Sequence, residues 1–284
     1  MDVSVRDIKI EKLYPQLKQI GFDGLDVSFP KWDQREFILS DEFEGAMMQK
    51  YQTIHSAGFK VCQTHLTYYP GHLPPLGDGS YEAFEEYMLP ILQKEIGIVA
   101  KMHCPLAVIH LYFEESIENS RAGNVRLLRA LLPLLEEHGV ILAIENIFGP
   151  KAGEAHLSTA EHLLYYTNYF ESPYLGVCLD TGHAITRLQN PVKMLKKLGD
   201  TVKALHLHAS VNGKDMHLPP ALVNNVDWRE FYELLHSIGY CGPFNMEITA
   251  PAQMNLATAL AYYTMAFHLA QGLITGDTKS WTEA

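Results

Sequence analysis

Short apolar runs alternate with longer amphipathic segments along the whole chain, and this alternation restricts the possible folds more than any other feature. Runs rich in Val, Ile and Leu stand at residues 3–5, 24–28, 59–65, 106–111, 140–145, 174–180, 202–208 and 243–248. Most lack a polar–apolar alternation, as strands covered on both faces do. Helix-like stretches fill the intervals at 8–20, 43–57, 81–102, 120–138, 159–170, 191–198, 228–238 and 257–271. Gly21, Gly58, Gly139, Gly199 and Gly239 follow five of these stretches, where a left-handed cap is wanted. Eight strands alternating with eight helices call for a parallel sheet, and 284 residues suit a closed α/β barrel of the (β/α)8 type. An open doubly wound sheet is the alternative. No linker, low-complexity tract or charge run marks a boundary, so residues 1–284 read as a single domain. The longest loop, 66–80, is rich in Pro, Gly and Tyr and has the length of a functional lid.

Apolar residues make up 47% of the chain and charged residues 19%, a balance that folds rather than staying disordered. The formal net charge of −11 repels phosphate backbones and anionic lipid, which argues against nucleic-acid and membrane partners. Cys62, Cys104, Cys178 and Cys241 are scattered and form no CxxC pair, so they read as buried reduced thiols. The N-terminal residues lack a basic, apolar leader, and the stretch 257–270 contains His268 and is too short to span a bilayer. The expectation is a cytoplasmic protein. An exposed apolar face on residues 256–274 would make a homo-oligomer contact; a buried one would complete the barrel wall.

Six of the runs carry an ionisable group at or beside the C-terminal edge: His65, His110, Glu145, Asp180, His208 and Glu247. In a barrel these ends converge on one face, where active sites are built. A carboxylate ending a run such as Val140-Ile141-Leu142-Ala143-Ile144-Glu145 is costly to bury alone. Any single one could be a cap or a salt bridge; several together are satisfied by one divalent cation. Glu145, Asp180 and Glu247 with His208 favour Mn2+, Mg2+ or Zn2+, because hard oxygen ligands dominate. His183 follows Asp180 by three residues and becomes a second ligand or a substrate contact beside such an ion. In Ala204-Leu205-His206-Leu207-His208, period two sends both histidines inward. His208 lies nearer the edge and is the ligand; the deeper His206 is a core histidine or a substrate contact. Asp215 and His217 stand two apart on a loop, and Tyr68, Tyr69, Tyr112 and Phe113 follow the third and fourth strands as possible pocket walls.

The segments Gly21-Phe22-Asp23-Gly24-Leu25-Asp26, Ala143-Ile144-Glu145-Asn146, Asp180-Thr181-Gly182-His183, Leu205-His206-Leu207-His208, His217-Leu218-Pro219-Pro220 and Met246-Glu247-Ile248 resemble the xylose isomerase-like TIM barrels nearly end to end. That group includes sugar isomerases and epimerases, inosose and dehydroshikimate dehydratases, and endonuclease IV. The resemblance implies a metal held by Glu145, Asp180, His208 and Glu247, with Glu145 and Glu247 also moving protons and His183 contacting substrate. It also implies that His65, His110, His183, Asp215 and His217 match further ligands of a multinuclear zinc cluster. The chain departs from the family after His208, where Ala209-Ser210-Val211-Asn212-Gly213 lacks the usual substrate arginine, and at Ala221-Leu222-Val223-Asn224-Asn225, which replaces a Gly-Glu-Gly turn.

The resulting expectation is a metal-dependent isomerase or epimerase of a small carbohydrate. Glu145 and Glu247 remove and return a carbon-bound proton through an enediolate, while His183 polarises an oxygen. His65, His110, His206, Asp215 and His217 are further candidates for substrate contacts. A dehydratase or other lyase on a cyclic polyol would use the same groups. A multi-zinc phosphodiesterase is a third possibility, disfavoured by the charge of −11.

Overall fold

In the computed structural model, which describes residues 1–7, 9–69, 77–148, 156–223 and 225–275, the apolar runs become strands of one parallel sheet. They are β1 (Val3–Arg6), β2 (Gly24–Ser28), β3 (Lys60–His65), β4 (Leu106–Ile109), β5 (Ile141–Glu145), β6 (Leu175–Asp180) and β7 (Val202–His206), with β10 (Phe244–Met246) as the eighth member. Sheet order is β10-β1-β2-β3-β4-β5-β6-β7. Leu207 joins the two ends: its N–H donates to Asn245 O at 2.9 Å, and its carbonyl accepts Glu247 N–H at 3.2 Å. The expected (β/α)8 barrel is therefore the architecture.

The connecting helices are α1 (Tyr14–Ile20), α2 (Arg35–Leu39) and α3 (Asp41–Ser56), then α4 (Tyr81–Lys101), α5 (Ile117–His138) and α6 (Ala160–Phe170). Then come α7 (Thr181–Thr186), α8 (Pro191–Leu198), α9 (Trp228–Ser237) and α10 (Leu256–Thr275). The short α2 and α7 have too few turns to show a period in sequence. The expected helix over 8–20 begins only at Tyr14, after a 3-10 turn at Glu11–Leu13. The seventh strand stops at His206 rather than 208, and a two-stranded antiparallel hairpin follows it, β8 (Ala209–Val211) with β9 (Lys214–Leu218). Asp215 and His217 thus lie on a strand, not on an irregular loop. Glu247 falls one residue past β10 instead of inside it.

Side-chain period two divides each strand between two layers. Val5, Val27, Leu142, Ile144, Val177, Leu179, Leu205 and Met246 face the helices and join the main core. A second, smaller cluster of Leu106, Val108, Ala143, Cys178 and Ala204 fills the barrel itself. Its small side chains leave the interior above them to polar groups. One face of α10 is buried through Tyr263, Ala266, Phe267, Ala270 and Leu273, so this apolar segment completes the barrel wall. Cys62, Cys104 and Cys178 are buried as expected; Cys241 is exposed, because it sits in the turn before β10 rather than in the strand.

Residues 70–76 of the expected lid lie outside the described residues. The start of that loop is pinned from below. Thr67 N–H donates to Glu95 Oε2 at 2.9 Å and its hydroxyl lies 2.5 Å from Glu95 Oε1 and 2.7 Å from Pro30 O. Burial pushes the Glu95 carboxyl up to about 8, with the Thr67 bonds opposing the shift. A carboxyl raised from 4.5 binds more protons folded than unfolded across that window, so its contribution to stability is lost as pH rises towards 8. We predict that Glu95→Gln, which keeps the bonds to Thr67, removes this loss. In denaturant unfolding of the metal-free chain, wild type should fall behind the variant by several kcal/mol between about pH 5 and about pH 9; parallel pH profiles would contradict it.

Candidate functional site

The inner positions at the C-terminal ends of the strands gather a cluster of buried polar groups in two tiers. The lower tier is neutral except for one acid. Asp26 Oδ2 accepts from Gln63 Nε2 at 3.0 Å and from Asn245 Nδ2 at 2.9 Å, and Ser4 Oγ donates to Asn245 Oδ1 at 2.9 Å. The upper tier holds Glu145, Asp180, His206, His208 and Glu247, all at most 5% exposed.

Two sequence motifs build this tier. In Glu145-Asn146, the Asn146 amide donates to Asp180 O at 2.9 Å and its oxygen accepts Asp180 N–H at 2.8 Å, which locks β5 against the end of β6. In Asp180-Thr181-Gly182-His183, each residue has a separate task. Asp180 caps α7 by accepting His183 N–H at 2.6 Å. Thr181 Oγ1 donates to His208 O at 2.7 Å and accepts His208 N–H at 3.0 Å. Gly182 leaves room for the His208 ring; a Cβ there would stand 1.8 Å from His208 Cε1. His183 turns back to Glu145, Nδ1 to Oε1 at 3.1 Å.

Glu145 is surrounded by imidazoles. Its Oε2 lies 3.1 Å from His65 Nε2 and 3.0 Å from His110 Nε2, and its Oε1 lies 3.0 Å from His206 Nδ1. Burial alone would raise its carboxyl, but His206, His110 and His183 hold it well below the usual range. Glu247 pairs with Arg6, Oε1 to Nη1 at 2.6 Å, and lies 3.4 Å from His206 Nδ1. There too burial is outweighed, by His206 and Arg6, and the carboxyl is lowered. His208 Nε2 is 3.1 Å from Asp180 and 3.8 Å from Glu247. On β9, His217 Nε2 reaches Asp215 Oδ2 at 3.0 Å. Burial lowers the tendency of His183 and His217 to protonate, yet the neighbouring acids carry them up to about 10 and about 9.

This arrangement fits a divalent cation on three counts. Ligand atoms of Glu145, Asp180, His206 and Glu247 all lie within 4.8 Å of one another; so do those of His65, His110 and Glu145, and those of His208, His217 and Glu247. His206 Nδ1, His208 Nδ1 and Glu247 Oε2 are buried without an aligned hydrogen bond, a costly state for polar atoms. Nδ1 of His65, His183 and His217 each meets a backbone carbonyl, of Leu66 at 2.8 Å, Asn146 at 2.9 Å and Glu247 at 2.8 Å. His65 and His217 would keep that N–H donation while giving up the Nε2 proton to an ion, the usual support for a metal-bound histidine.

The ionisable candidates read from the strand ends all meet at this mouth, together with His183, Asp215 and His217. The tightest four-donor group contains His206, while His208 belongs to the adjoining group. Tyr68, Tyr69 and Phe113 wall the cleft, of about 300 Å³, but Tyr112 does not. Its ring packs on Phe84 at 4.9 Å, ordinary core contact. Phe148 lines the cleft as well. Sequence reasoning passed over Arg6, Asp26, Gln63 and Asn245 as site residues; the signal was their inner alternate positions on β1, β2, β3 and β10. A larger cavity of about 1150 Å³ opens at the opposite barrel face, near Lys60 and Tyr240, away from the converging acids.

The sequence profile of the family described as xylose isomerase-like TIM barrel matches residues 15–264. The uncharacterized protein y4fM of Sinorhizobium fredii is 26% identical over 187 residues, 63% of this chain and 58% of that one, so the chain spans little more than half of that relative. The L-ribulose-5-phosphate 3-epimerase UlaE of Salmonella heidelberg is 23% identical over 86% of this chain and 84% of its own length. Among solved structures, a D-tagatose 3-epimerase-like protein superposes with a TM-score of 0.75 at 17% identity, covering 98% of this chain and all of the other.

Two substitutions test the geometry. Asp180→Asn keeps the cap on α7 but removes a charge; Mn2+ affinity in calorimetry should drop by at least about tenfold while the variant still unfolds cooperatively. Gly182→Ala removes no donor, yet it should weaken Mn2+ binding by displacing the His208 ring. Unchanged affinity in both would show that these positions do not build a metal site.

Proposed function

Because the chain belongs to the xylose isomerase-like TIM barrel family, we propose that it is a divalent-metal-dependent epimerase or isomerase of a small sugar, acting as one barrel unit. The observation that carries this reading is the buried group of Glu145, Asp180, His206 and Glu247, with one glutamate at the end of β5 and the other just past β10, three strands further round the barrel. The similarity to an L-ribulose-5-phosphate 3-epimerase supports the same class of chemistry. Glu145, Asp180 and Glu247 would hold the ion with one imidazole from β7 or its end. His208 is the ligand on the sequence reading and His206 on the spacing. When bound, the ion supplies Lewis-acid polarisation of substrate oxygens.

The chain's own groups do the rest. Glu145 and Glu247 stay ionised among their cationic neighbours, the form required to accept a carbon-bound proton. Facing each other across the cleft, one withdraws the proton from one side of the sugar and the other returns it on the opposite side, which inverts the carbon. His183, held by Asn146 O and Glu145, donates to a substrate oxygen as negative charge develops there. Phe113, Phe148, Tyr68 and Tyr69 keep water from the reacting carbon. Elimination of a neighbouring hydroxyl would use the same proton abstraction, so a lyase remains the neighbouring chemistry.

A second reading is favoured by the donor groups that adjoin the first, His65 with His110 and Glu145, and His208 with His217 and Glu247. They give room for a multinuclear zinc site. Metal analysis separates the two: near one divalent ion per chain fits the mononuclear sugar enzyme, and near three fits the cluster.

The decisive prediction concerns proton traffic. In deuterated water with Mn2+ and a ketose such as D-ribulose, wild type should wash deuterium into the carbon beside the carbonyl. Glu247→Gln should lower that exchange by about 100-fold or more. Equal exchange in the variant would remove Glu247 as a base. His206→Asn and His208→Asn, compared for Mn2+ affinity, identify the imidazole ligand by the larger loss.

A further inference from the structure

Among the described residues that line the cleft, Arg6 is the only lysine or arginine. It ends β1, and period two places it on the inner face with the buried Ser4. Its Nη1 lies 2.6 Å from Glu247 Oε1, and its side chain stays 19% exposed. Among the described residues, Glu247 is the one carboxylate within ion-pair distance of Arg6. None of its nitrogens is buried without a partner. The donors that Glu247 leaves unused therefore open into the cleft, on a group that carries five N–H bonds in a fixed fork.

Among the described residues the other bank lacks a counterpart. The turn after His208 reads Ala209-Ser210-Val211-Asn212-Gly213, and Lys214 beyond it is exposed and does not line the cleft. A neutral polyol would find all the donors and acceptors it needs among the acids, imidazoles and phenols already there. A half-desolvated guanidinium with free donors is instead matched to an oxyanion, which it binds with two parallel charge-assisted bonds.

We propose that Arg6 forms an anion subsite in the cleft and that the substrate is a sugar bearing a carboxylate or phosphate group. This rests on the sugar-epimerase reading and narrows its substrate class. The test is calorimetric titration of the Mn2+-loaded chain with two matched pairs, D-gluconate against D-glucitol and D-ribulose 5-phosphate against D-ribulose. At least one acid should bind about tenfold tighter than its neutral partner. The pair showing the gain identifies carboxylate or phosphate. Arg6→Gln should bring that ratio to within about twofold, and Arg6→Lys should keep part of it. The ratio, rather than overall affinity, is the readout, because Arg6 also touches Glu247. Equal binding within both pairs, no binding of any of the four, or an acid preference that survives Arg6→Gln would overturn the subsite. If Arg6→Gln does not fold, the wild-type ratios and Arg6→Lys decide. Deuterium exchange keeps the two readings apart: exchange without acid preference removes only the role of Arg6, and acid preference without exchange removes only the epimerase.

Discussion

Carboxylates that repel one another have been brought into a single buried space, and the structure around them is arranged to neutralise that repulsion. Glu145, Asp180 and Asp215 come from three different strands, and Glu247 follows a fourth directly. Without compensation, such a set would shift its pKa values upward and protonate. Instead Glu145 and Glu247 are held low, because imidazoles and Arg6 surround them. The interior beneath is filled by small apolar side chains and by the Asp26, Gln63 and Asn245 network, which supports His206 from below at 3.5 Å. Donor atoms gathered this closely are of the kind that suits a divalent cation.

The barrel supplies what that arrangement needs. Parallel strands deliver their last inner residue to the same level, so one position per strand is enough to build a ring of donors. The Asp-Thr-Gly-His turn adds precision that strand geometry alone lacks. Its carboxylate, hydroxyl, missing side chain and imidazole each fix the place of another donor, His208 above all. The β8–β9 hairpin then folds Asp215 and His217 back over the mouth from one side, while Arg6 closes it from the other.

Much of this was legible in the sequence, for a physical reason. Long amphipathic helices have a strong period and strands buried on both faces read as unbroken apolar runs, so the eightfold alternation survives in a single chain. An acid at the end of an apolar run also stands out, which is why Glu145, Asp180 and Glu247 could be read directly. Short elements left no such trace: α2 and α7 are too brief for a period, and the hairpin strands are short and polar. Arg6 and Asp26 were harder still. Each looks like ordinary strand-end polarity until closure of the sheet shows which neighbour it faces. The choice between His206 and His208 has the same origin, since both share one face and only the depth of the mouth distinguishes them.

The proposed chemistry depends on a cation bound among these side chains. The most direct measurement is an anomalous diffraction map from crystals grown with Mn2+. A peak is expected roughly 2.0–2.3 Å from oxygens of Glu145, Asp180 and Glu247 and from one imidazole nitrogen of His206 or His208. A map with no peak among these groups, or with its peak elsewhere on the molecule, would contradict it.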